Sequence, residues 1–514
     1  MSKTIIIIGA GLAGLSAALQ AAENGCNVKL VSFLPSERAQ SVMAEGGINA
    51  ALNTKDENDS PEEHFTDTIK AACGLADPNA VWGMTQAAPE LVHWLLKLGV
   101  KFNMSGYDDV DLRNFGGQKK KRTAFAQSDT GKQIMTAMID AVRRKEASGM
   151  VERFSHHSFL TLRLCGNICC GCVIRDEYSQ ETVELPGDAV IVATGGMHGL
   201  FGNTTGSLSN TGEVTAELFR LGVPLANGEM IQYHPTTVKC GGKRMLISEA
   251  ARGEGGRLFA MKDGKQWYFM EEKYPELGNL MPRDITAREI WKVSHESEVF
   301  LDMTEISDEI ISNKLSGLAD DCMTYLHKDI RKEPVSVLPG IHYFMGGILV
   351  DEQHRTPIQN LYAAGECCAQ YHGANRLGGN SLLGALYGGR VAAKSACEQA
   401  DVVDLSCATQ IDFPPASQIS EIKQLNKVMQ ETMGVVRNEN TLLNGIQTVQ
   451  ALTGNLPLLG MAVLKSALAR KESRGAHWRE DYPKSNDDDY LKTTVARFDG
   501  KQIQISFVPV PERR

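Results

Sequence analysis

The chain has 514 residues, of which 42% are hydrophobic, so it is long enough for two or three domains with apolar cores. Its net charge of −9 and its isoelectric point near 5.8 disfavour nucleic acid as a partner. We expect the short basic run Lys119 to Arg122 to be a solvated loop. A secretory signal and a long apolar stretch are both lacking, which predicts a soluble, cytoplasmic protein with no direct membrane span.

The first predicted elements are a strand, a glycine turn, a helix and a second strand. The apolar run from Ile5 to Ile8 predicts a buried strand. The small residues from Leu12 to Glu23 predict a helix, and Asn27 to Ser32 predict the second strand. This order of elements is typical of a dinucleotide-binding fold, with the turn GAGLAG placed to meet the phosphates.

Each glycine of GAGLAG has its own expected role. Gly9 permits the tight turn, Gly11 lets the backbone approach a pyrophosphate, and Gly14 lets the helix pack closely on the strand. The helix N-terminus would present free N–H groups to the phosphates. Ser32 stands where an acidic ligand of the ribose is usual, and Glu366 is a candidate for a substitute contact. The motif alone therefore does not decide which dinucleotide binds.

Two later apolar runs predict further strands of the same sheet. The run 188–193 ends at Thr194 and Gly195, and the run 361–364 ends at Gly365 and Glu366. Because the second run lies so far along the chain, we expect a discontinuous nucleotide-binding domain.

The resulting fold prediction is α/β, with a Rossmann-like dinucleotide-binding domain, an inserted α+β capping domain and a helical C-terminal domain. The first domain comprises residues 1–224 and 335–414, and the capping domain comprises residues 225–334. The helical periodicity of KQLNKVMQETMGVV predicts a mostly helical third domain over residues 415–514.

Twelve cysteines without an export signal favour free thiols in a reducing compartment. Four of them lie close together, at Cys165, Cys169, Cys170 and Cys172, and a metal site is one interpretation of this cluster. A β-hairpin that turns at residues 166–167 is the alternative that the flanking apolar residues favour. Adjacent cysteines would then face opposite sides of the sheet, so we predict no metal site.

Several motifs recur in a fixed order along nearly the whole chain. They are AQSVMAEGG (39–47), IQYHPTT (231–237), SEAARGEGG (248–256), MPRDITAR (281–288), HYFMGGI (342–348), HGANRLGGNSL (372–382), GVVRNENTL (434–442) and ESRGAHWREDYP (472–483). In these motifs the chain resembles the flavoprotein subunit of succinate dehydrogenase and fumarate reductase. The resemblance implies FAD, a cap over the isoalloxazine ring and a helical C-terminal domain.

The resemblance also implies which residues contact the cofactor. The family tolerates a hydroxyl residue at the position of Ser32. The implied contacts are Gly9, Ala10, Gly11, Gly14, Ser32, Ser41, Ala44, Gly46, Gly47, Thr194, Gly195, Glu366, Arg376, Ser381 and Leu382. Many members of this family carry the flavin covalently on a histidine, and Gln40 occupies that position here. An amide cannot form the linkage, so we predict non-covalent FAD and a bias towards fumarate reduction.

A dicarboxylate needs donors at both ends and a proton source opposite the flavin. His234, His342 and Arg376 are candidates for binding the carboxylates, and Ser248 adds a hydroxyl. By resemblance, the following residues have catalytic roles: Arg283 is the general acid that protonates one alkene carbon while flavin N5 delivers hydride to the other, and Arg252 and Glu249 resupply its proton.

The predicted function is therefore fumarate and succinate interconversion, with three alternatives. L-aspartate oxidase shares several motifs, but NFGGQKKKRTAFAQSDTG (114–131) offers no glutamate beside FGG to receive an amino group. Reductases of other unsaturated carboxylic acids stay open. A non-catalytic flavin-binding subunit would be expected to lose Arg283, Arg376 or His342, and all three are present. An iron–sulfur electron-transfer subunit is the expected partner, through which the protein would associate with the cytoplasmic membrane face.

Overall fold

The computed structural model describes residues 2–106, 109–401, 413 and 418–514. The strands are β1 (Thr4–Ile8), β2 (Asn27–Ser32), β3 (Ile48–Asn49), β4 (Leu112–Arg113), β5 (Thr123–Ala124), β6 (Val151–Ser155), β7 (His157–Cys165), β8 (Ile168–Asp176), β9 (Thr182–Pro186), β10 (Ala189–Val192), β11 (Leu225–Ala226), β12 (Ile231–Cys240), β13 (Lys243–Leu246), β14 (Arg257–Lys262), β15 (Lys265–Trp267), β16 (Val299–Asp302), β17 (Val335–Ser336), β18 (Leu338–Phe344), β19 (Gly347–Leu349), β20 (Leu361–Ala363), β21 (Cys368–Ala369), β22 (Lys492–Phe498) and β23 (Ile503–Pro509).

The helices are distributed over the whole described chain. They are α1 (Leu12–Glu23), α2 (Pro61–Ala71), α3 (Pro78–Lys97), α4 (Thr130–Ala147), α5 (Glu213–Arg220), α6 (Glu249–Gly253), α7 (Phe269–Lys273), α8 (Arg283–Val293), α9 (Asp308–Lys314), α10 (Ser316–Asp321), α11 (Asn380–Gln399), α12 (Ile419–Thr432), α13 (Glu439–Val449), α14 (Asn455–Ala469) and α15 (Asp487–Tyr490).

A five-stranded parallel sheet, in the order β20-β10-β1-β2-β6, forms the centre of the nucleotide-binding domain. The predicted opening is confirmed, because β1, α1 and β2 follow one another as the sequence indicated. The two later apolar runs also enter this sheet, as β10 and β20. The four isoleucines of β1 are buried on both faces of the sheet, as β-branched residues in a central parallel strand usually are. The carboxyl ends of β1, β10 and β20 therefore meet at one edge.

Helices α1 and α11 pack closely on each other beside this sheet. A side chain at Gly389 of α11 would come within 2.2 Å of the Ala13 carbonyl oxygen in α1, so only glycine permits the contact. α11 begins after Gly379, whose φ is +83°. The N-termini of both helices consequently lie near the same edge of the sheet.

The inserted segment contains helices α6 to α10 and most strands of two antiparallel sheets, which β17 and β18 complete from just beyond residue 334. The first sheet has the order β13-β12-β18 and the second the order β15-β14-β16-β17. Leu258, Ile290, Leu301 and Leu318 belong to a core that this segment shares with few other elements. Together with the parallel sheet and the C-terminal helices, this segment confirms the predicted α/β fold class. The domain boundaries stay predictions, and the one at residue 414 lies outside the described residues.

The C-terminal segment combines helices with one hairpin. α12, α13 and α14 pack around Leu425, Met429, Leu459 and Val463. β22 and β23 pair with each other, and β22 also pairs with β11, so the hairpin extends a second sheet in the order β21-β19-β11-β22-β23. The prediction of a mostly helical segment did not include this hairpin, which depends on a partner strand far away in the sequence.

The predicted β-hairpin at the cysteine cluster is confirmed. β7 and β8 are antiparallel around the turn 166–167. Cys169 lies in an apolar core with Cys172, whereas the thiol of Cys170 donates to the Arg163 carbonyl oxygen at 3.3 Å. Among the described residues, ten cysteines are free thiols as expected, but Cys165 is disulfide-bonded, which corrects the expectation for that residue.

The prediction of a solvated loop from Lys119 to Arg122 is wrong at its last residue. Arg122 is 0% exposed, and its guanidinium donates to both carboxylate oxygens of Asp59, at 2.9 and 3.1 Å. Its Nη2 also lies 2.9 Å from the Asp67 carboxylate. Two carboxylates from neighbouring segments offset the cost of burying this charge, and sequence spacing could not reveal them.

Candidate active site

One large cavity, of about 670 Å³, lies between the edge of the parallel sheet and the inserted segment. All but two of the residues predicted for the site line it. Those predicted for the cofactor are called the nucleotide end of the cavity: Gly9, Ala10, Gly11, Ser32, Ser41, Ala44, Gly46, Gly47, Thr194, Gly195, Glu366, Ser381 and Leu382. Those predicted for the substrate and its chemistry are called the substrate end: His234, Ser248, Glu249, Arg283, His342 and Arg376. Gly14 and Arg252 lie behind the cavity wall.

The glycine turn brings backbone to the cavity surface. Gly9 has φ +111°, and a side chain there would come within 2.3 Å of the Ala193 carbonyl oxygen. A side chain at Gly14 would come within 1.8 Å of the Gly9 carbonyl oxygen, so Gly14 allows α1 to pack against the turn. Gly11, the N-cap of α1, lines the cavity together with Leu12 and Ala13. The start of α1 therefore faces the cavity, as an anion-binding helix N-terminus does.

Two polar side chains mark the part of the cavity next to this turn. Ser32 is buried, and its Oγ has no hydrogen-bond partner in the described protein. An unpaired buried hydroxyl at this position fits a ribose hydroxyl of a dinucleotide. Glu366 already has a partner, because its Oε1 accepts a hydrogen bond from the Phe344 backbone N–H at 3.1 Å. These residues and the glycine turn fit the adenosine and phosphate groups of FAD.

Gln40 and Ser41 are neighbouring residues in the lining of the cavity. The amide oxygen of Gln40 accepts a hydrogen bond from the Ser207 backbone N–H at 2.6 Å. The hydroxyl of Ser41 accepts one from the Leu12 backbone N–H at 3.2 Å. Both side chains are thus held by backbone donors of neighbouring segments.

Three predicted catalytic residues form a buried chain of charges. Arg283, the first residue of α8, donates from Nε to Glu249 Oε2 at 2.8 Å and from Nη2 to the same oxygen at 2.5 Å. Arg252 Nη2 lies 3.5 Å from the other oxygen of Glu249. Glu249 and Arg252 share one face of α6 because they are three residues apart. Among the three, Arg283 and Glu249 reach the cavity.

The charges of this chain affect one another strongly. Burial alone would raise the pKa of Glu249, but Arg283 and Arg252 outweigh it, and the pKa lies below its usual range. Burial lowers the pKa of Arg252. Nε and Nη2 of Arg252 have no hydrogen-bond partner although they are buried. The carboxylate of Glu249 is therefore ionised between two guanidinium groups.

Two histidines and a third arginine complete this end of the cavity. The rings of His234 and His342 are 5.1 Å apart in a T-shaped arrangement. Burial and nearby positive groups lower the pKa of both well below the usual range, so both rings are neutral. The Arg376 guanidinium lies 4.3 Å from the centre of the Tyr343 ring, and its Nε is buried without a partner. Burial, and then Arg283, lower the pKa of Arg376 to about 9.

Ser248 also lies at this end, but its hydroxyl has a structural partner. It caps α6 by accepting a hydrogen bond from the Ala250 backbone N–H at 3.4 Å. A serine hydroxyl has a second lone pair and a proton, so this long bond leaves it able to bind a ligand.

Sequence reasoning missed Gln232, Thr205 and Glu45. Gln232 accepts a hydrogen bond from Arg283 Nη1 at 3.1 Å and donates to the Arg376 carbonyl oxygen at 2.8 Å. Its place two residues before His234 on β12 was a signal, because alternate residues of a strand share a face. Thr205 contacts His342, and Glu45 lines the cavity with one buried carboxylate oxygen unpaired. No sequence pattern marks Thr205, whereas Glu45 lies in the motif AQSVMAEGG, to which no role for it was attached.

Comparison with known families gives two matches that together cover most of the chain. A model described as an FAD binding domain matches residues 4–382, and one described as the fumarate reductase flavoprotein C-terminus matches residues 452–513. The chain belongs to the succinate dehydrogenase and fumarate reductase flavoprotein family. It is accordingly a flavoprotein oxidoreductase with an FAD-binding domain.

Individual members of this family are similar over their whole length. The succinate dehydrogenase flavoprotein subunit of Bacillus subtilis is 38% identical, covering 100% of this chain and 98% of that protein. The 8-methylmenaquinol:fumarate reductase flavoprotein subunit of Wolinella succinogenes is 32% identical, covering 100% and 92%. A solved structure of a mutant Escherichia coli quinol fumarate reductase flavoprotein matches with a TM-score of 0.90 and 27% identity, covering 99% and 97%.

Within the part of the chain that the structure describes, no helix has the length and apolar character needed to cross a bilayer.

Proposed function

We propose that this protein interconverts fumarate and succinate with non-covalently bound FAD, as the flavoprotein subunit of a larger complex. One observation carries the proposal: Arg283 projects into the cavity while Glu249 and Arg252 connect it to the protein behind the wall. FAD, when bound, supplies or accepts the hydride. The proposed role of Arg283 is to give a proton to the second alkene carbon during fumarate reduction.

Proton transfer needs a donor that can be recharged. In the proposed cycle Arg283 gives up a proton to the substrate, and Glu249 takes a proton from Arg252, which is recharged from solvent, and passes it to Arg283 across their 2.8 Å contact. Arg252 then neutralises the carboxylate of Glu249 and stabilises its ionised form between turnovers. Succinate oxidation uses the same groups in reverse. An arginine is a weak acid, so its position beside the substrate and its burial matter more than its ordinary pKa.

The substrate proposal rests on the groups that face Arg283. Arg376 provides a guanidinium fork for one carboxylate, and its unpartnered Nε shows that donor capacity remains. His342, His234 and Ser248 provide polar groups for the rest of the molecule. A cavity with several cationic and polar donors around one proton source suits a short dicarboxylate better than a monoacid.

The non-covalent attachment follows from Gln40. Its amide has no nucleophilic nitrogen, and its oxygen is held by the Ser207 backbone N–H. Acid or urea denaturation should therefore release all FAD into the soluble fraction, as measured by flavin absorbance of the filtrate. Flavin that stays on the precipitated chain would contradict this part of the proposal.

An iron–sulfur subunit is the proposed electron-transfer partner. The described residues contain no group of three or more His, Cys, Asp or Glu side chains arranged to hold a metal ion. Relatives of this chain are named as flavoprotein subunits, which supports a partner that carries electrons to or from FAD. Co-purification from the native host with a protein of measurable iron and sulfide content would test this assignment.

The substrate is best tested by anaerobic reoxidation of the reduced holoprotein. Fumarate, iminosuccinate and an unsaturated monoacid such as crotonate are mixed separately with the reduced protein, and flavin absorbance is followed. We expect rapid reoxidation by fumarate and little by the other two. Fast reoxidation by iminosuccinate alone would instead indicate L-aspartate oxidase, and by crotonate alone a reductase of another acid.

A further inference from the structure

His342 and His234, which both line the cavity, are held by different kinds of group. His342 Nδ1 lies 2.8 Å from the hydroxyl oxygen of Thr205. His234 Nδ1 lies 3.0 Å from the carbonyl oxygen of Thr236. A hydroxyl can donate or accept, whereas a carbonyl oxygen can only accept, so the two contacts have different consequences for the ring protons.

The Ile341 carbonyl oxygen and His342 Nδ1 are the two possible acceptors for the hydroxyl proton of Thr205. The Ile341 carbonyl oxygen lies 3.4 Å from the Thr205 hydroxyl and already accepts from the Thr205 backbone N–H at 3.0 Å. Nδ1 of His342 is much nearer, at 2.8 Å. If the hydroxyl donates along this shorter contact, Nδ1 is the unprotonated nitrogen of a neutral ring. The proton of His342 is then on Nε2.

The opposite arrangement follows for His234. The Thr236 carbonyl oxygen, at 3.0 Å, is the nearest partner of Nδ1, so Nδ1 carries the proton. The Thr236 backbone N–H, at 3.3 Å, is a longer and competing contact. Nε2 of His234 is buried, has no partner and is left as a hydrogen-bond acceptor. In this arrangement, Nε2 of His342 is a hydrogen-bond donor and Nε2 of His234 is an acceptor.

We propose that Thr205 is a positioning residue that holds His342 as the Nε2–H tautomer, so that His342 donates a hydrogen bond to a substrate carboxylate. The inference deepens the proposed function and rests on it for the identity of the ligand. Thr205 belongs to the segment NTTGSLSNTG and lines the same cavity. Because both rings are neutral, a second ring proton cannot compensate for the wrong tautomer.

The first test compares Thr205→Val with Thr205→Ser in the FAD-loaded protein. Malonate, a non-reacting dicarboxylate, is titrated while the flavin absorbance change reports its binding. We expect valine to weaken malonate binding about tenfold or more, because a hydrogen bond to a charged group is lost, and serine to stay within about threefold of the parent protein. The KM for fumarate should rise similarly in Thr205→Val, with a much smaller change in kcat. Equal malonate affinity in Thr205→Val and the parent protein would overturn the inference.

The second test reads the tautomer directly and needs no substrate. NMR spectra of the FAD-loaded protein with isotope-labelled histidine distinguish protonated from unprotonated ring nitrogens, and His342→Gln identifies the signals of His342. We expect the proton on Nε2 in the parent protein and a shift towards Nδ1 in Thr205→Val. A proton on Nδ1 of His342 in the parent protein would overturn the inference.

The two tests separate this inference from the proposed function. Correct tautomers without any malonate or fumarate binding would refute the dicarboxylate function and support the role of Thr205 in setting the ring proton. Normal dicarboxylate binding in Thr205→Val would support the dicarboxylate function and refute the role of Thr205. Thr432→Val is the matched control, because its hydroxyl is also buried but bonds the Val428 carbonyl oxygen in α12, outside the cavity lining. We expect its malonate affinity to match that of the parent protein.

Discussion

The two ends of the cavity are built from different parts of the chain. The nucleotide end is formed by backbone and small residues, such as Gly9 and Gly11 in the first turn. The substrate end is formed by charged and polar side chains, such as Arg283, Glu249 and His342, which come from separate elements of the inserted segment and β18.

This difference predicts different kinds of sensitivity to mutation. A surface made of backbone has no room for additional atoms, so it is damaged by any side chain that enters. A surface made of ionised side chains keeps its shape when one group is replaced by a neutral one of similar size, but it loses the chemistry of that group. Substitutions at the two ends should therefore separate cofactor retention from turnover.

The largest effect is expected from Gly14→Ala. The added methyl would lie 1.8 Å from the Gly9 carbonyl oxygen, and backbone cannot move aside cheaply. We expect a loss of about 3 kcal/mol or more in the free energy of unfolding, and loss of FAD from the purified protein. Urea unfolding and the ratio of flavin to protein absorbance measure both.

Gly25→Ala serves as the control at the other end of α1. Gly25 has φ +79°, and nothing lies within 4 Å of an added Cβ. Its substitution should cost only the strain of a left-handed backbone, about 1–2 kcal/mol, and FAD should remain bound. Full FAD occupancy in Gly14→Ala would show that the turn tolerates a side chain, against this view of the nucleotide end.

The second effect is expected from Arg283→Gln. The substitution removes the proposed proton donor but keeps a polar side chain of similar reach. We expect turnover with fumarate to fall by about 10²–10⁴-fold, which is the usual contribution of a general acid, while FAD content stays unchanged. Steady-state assays with a reduced dye and the flavin spectrum measure these quantities separately.

Arg288→Gln tests whether the loss of any positive charge from α8 lowers turnover. Arg288 lies on the same helix, but its guanidinium stacks on the Trp478 ring at 4.0 Å and does not line the cavity. Its substitution should leave turnover within about twofold of the parent value. Comparable losses in both variants would mean that Arg283 acts through the stability of the helix.

The glycine turn of the nucleotide end could be predicted from the sequence, because it is local. GAGLAG, the flanking strands and α1 occupy one continuous stretch, so their spacing alone indicates the geometry. The buried apolar runs also indicated that β10 and β20 belong to the same sheet as β1. What the sequence lacked was any indication that the C-terminal β22 would pair with β11, because no local pattern encodes a partner so distant.

The substrate end was predictable only through the resemblance of whole motifs. Glu249 and Arg252 share a helix face, and that much follows from their spacing. The contact of Glu249 with Arg283 joins two helices, and the contact of Thr205 with His342 joins a loop to β18. Neither distance can be derived from periodicity, since each depends on how separate elements pack.

The smallest effect concerns Glu45, which lines the cavity near Asp321 at the end of α10. Burial, and then the nearby carboxylates of Asp321 and Asp129, raise the pKa of Glu45 from 4.5 to about 8, although Arg113 opposes them. The folded protein therefore holds a proton that the unfolded chain has lost at intermediate pH. This contribution to stability is complete below about pH 4.5 and is lost as the pH rises to about 8.

Glu45→Gln should remove this dependence, because glutamine keeps the shape of the protonated side chain but does not ionise. Urea unfolding of the flavin-free protein at several pH values between about 5 and 8 should show a flatter stability profile for Glu45→Gln than for the parent protein. Glu37→Gln is the control, since Glu37 is an exposed carboxylate paired with Arg143 on the surface. Profiles of equal slope in Glu45→Gln and the parent would mean that Glu45 is ionised in the folded protein. The folded protein would then tolerate a third negative charge beside Asp129 and Asp321.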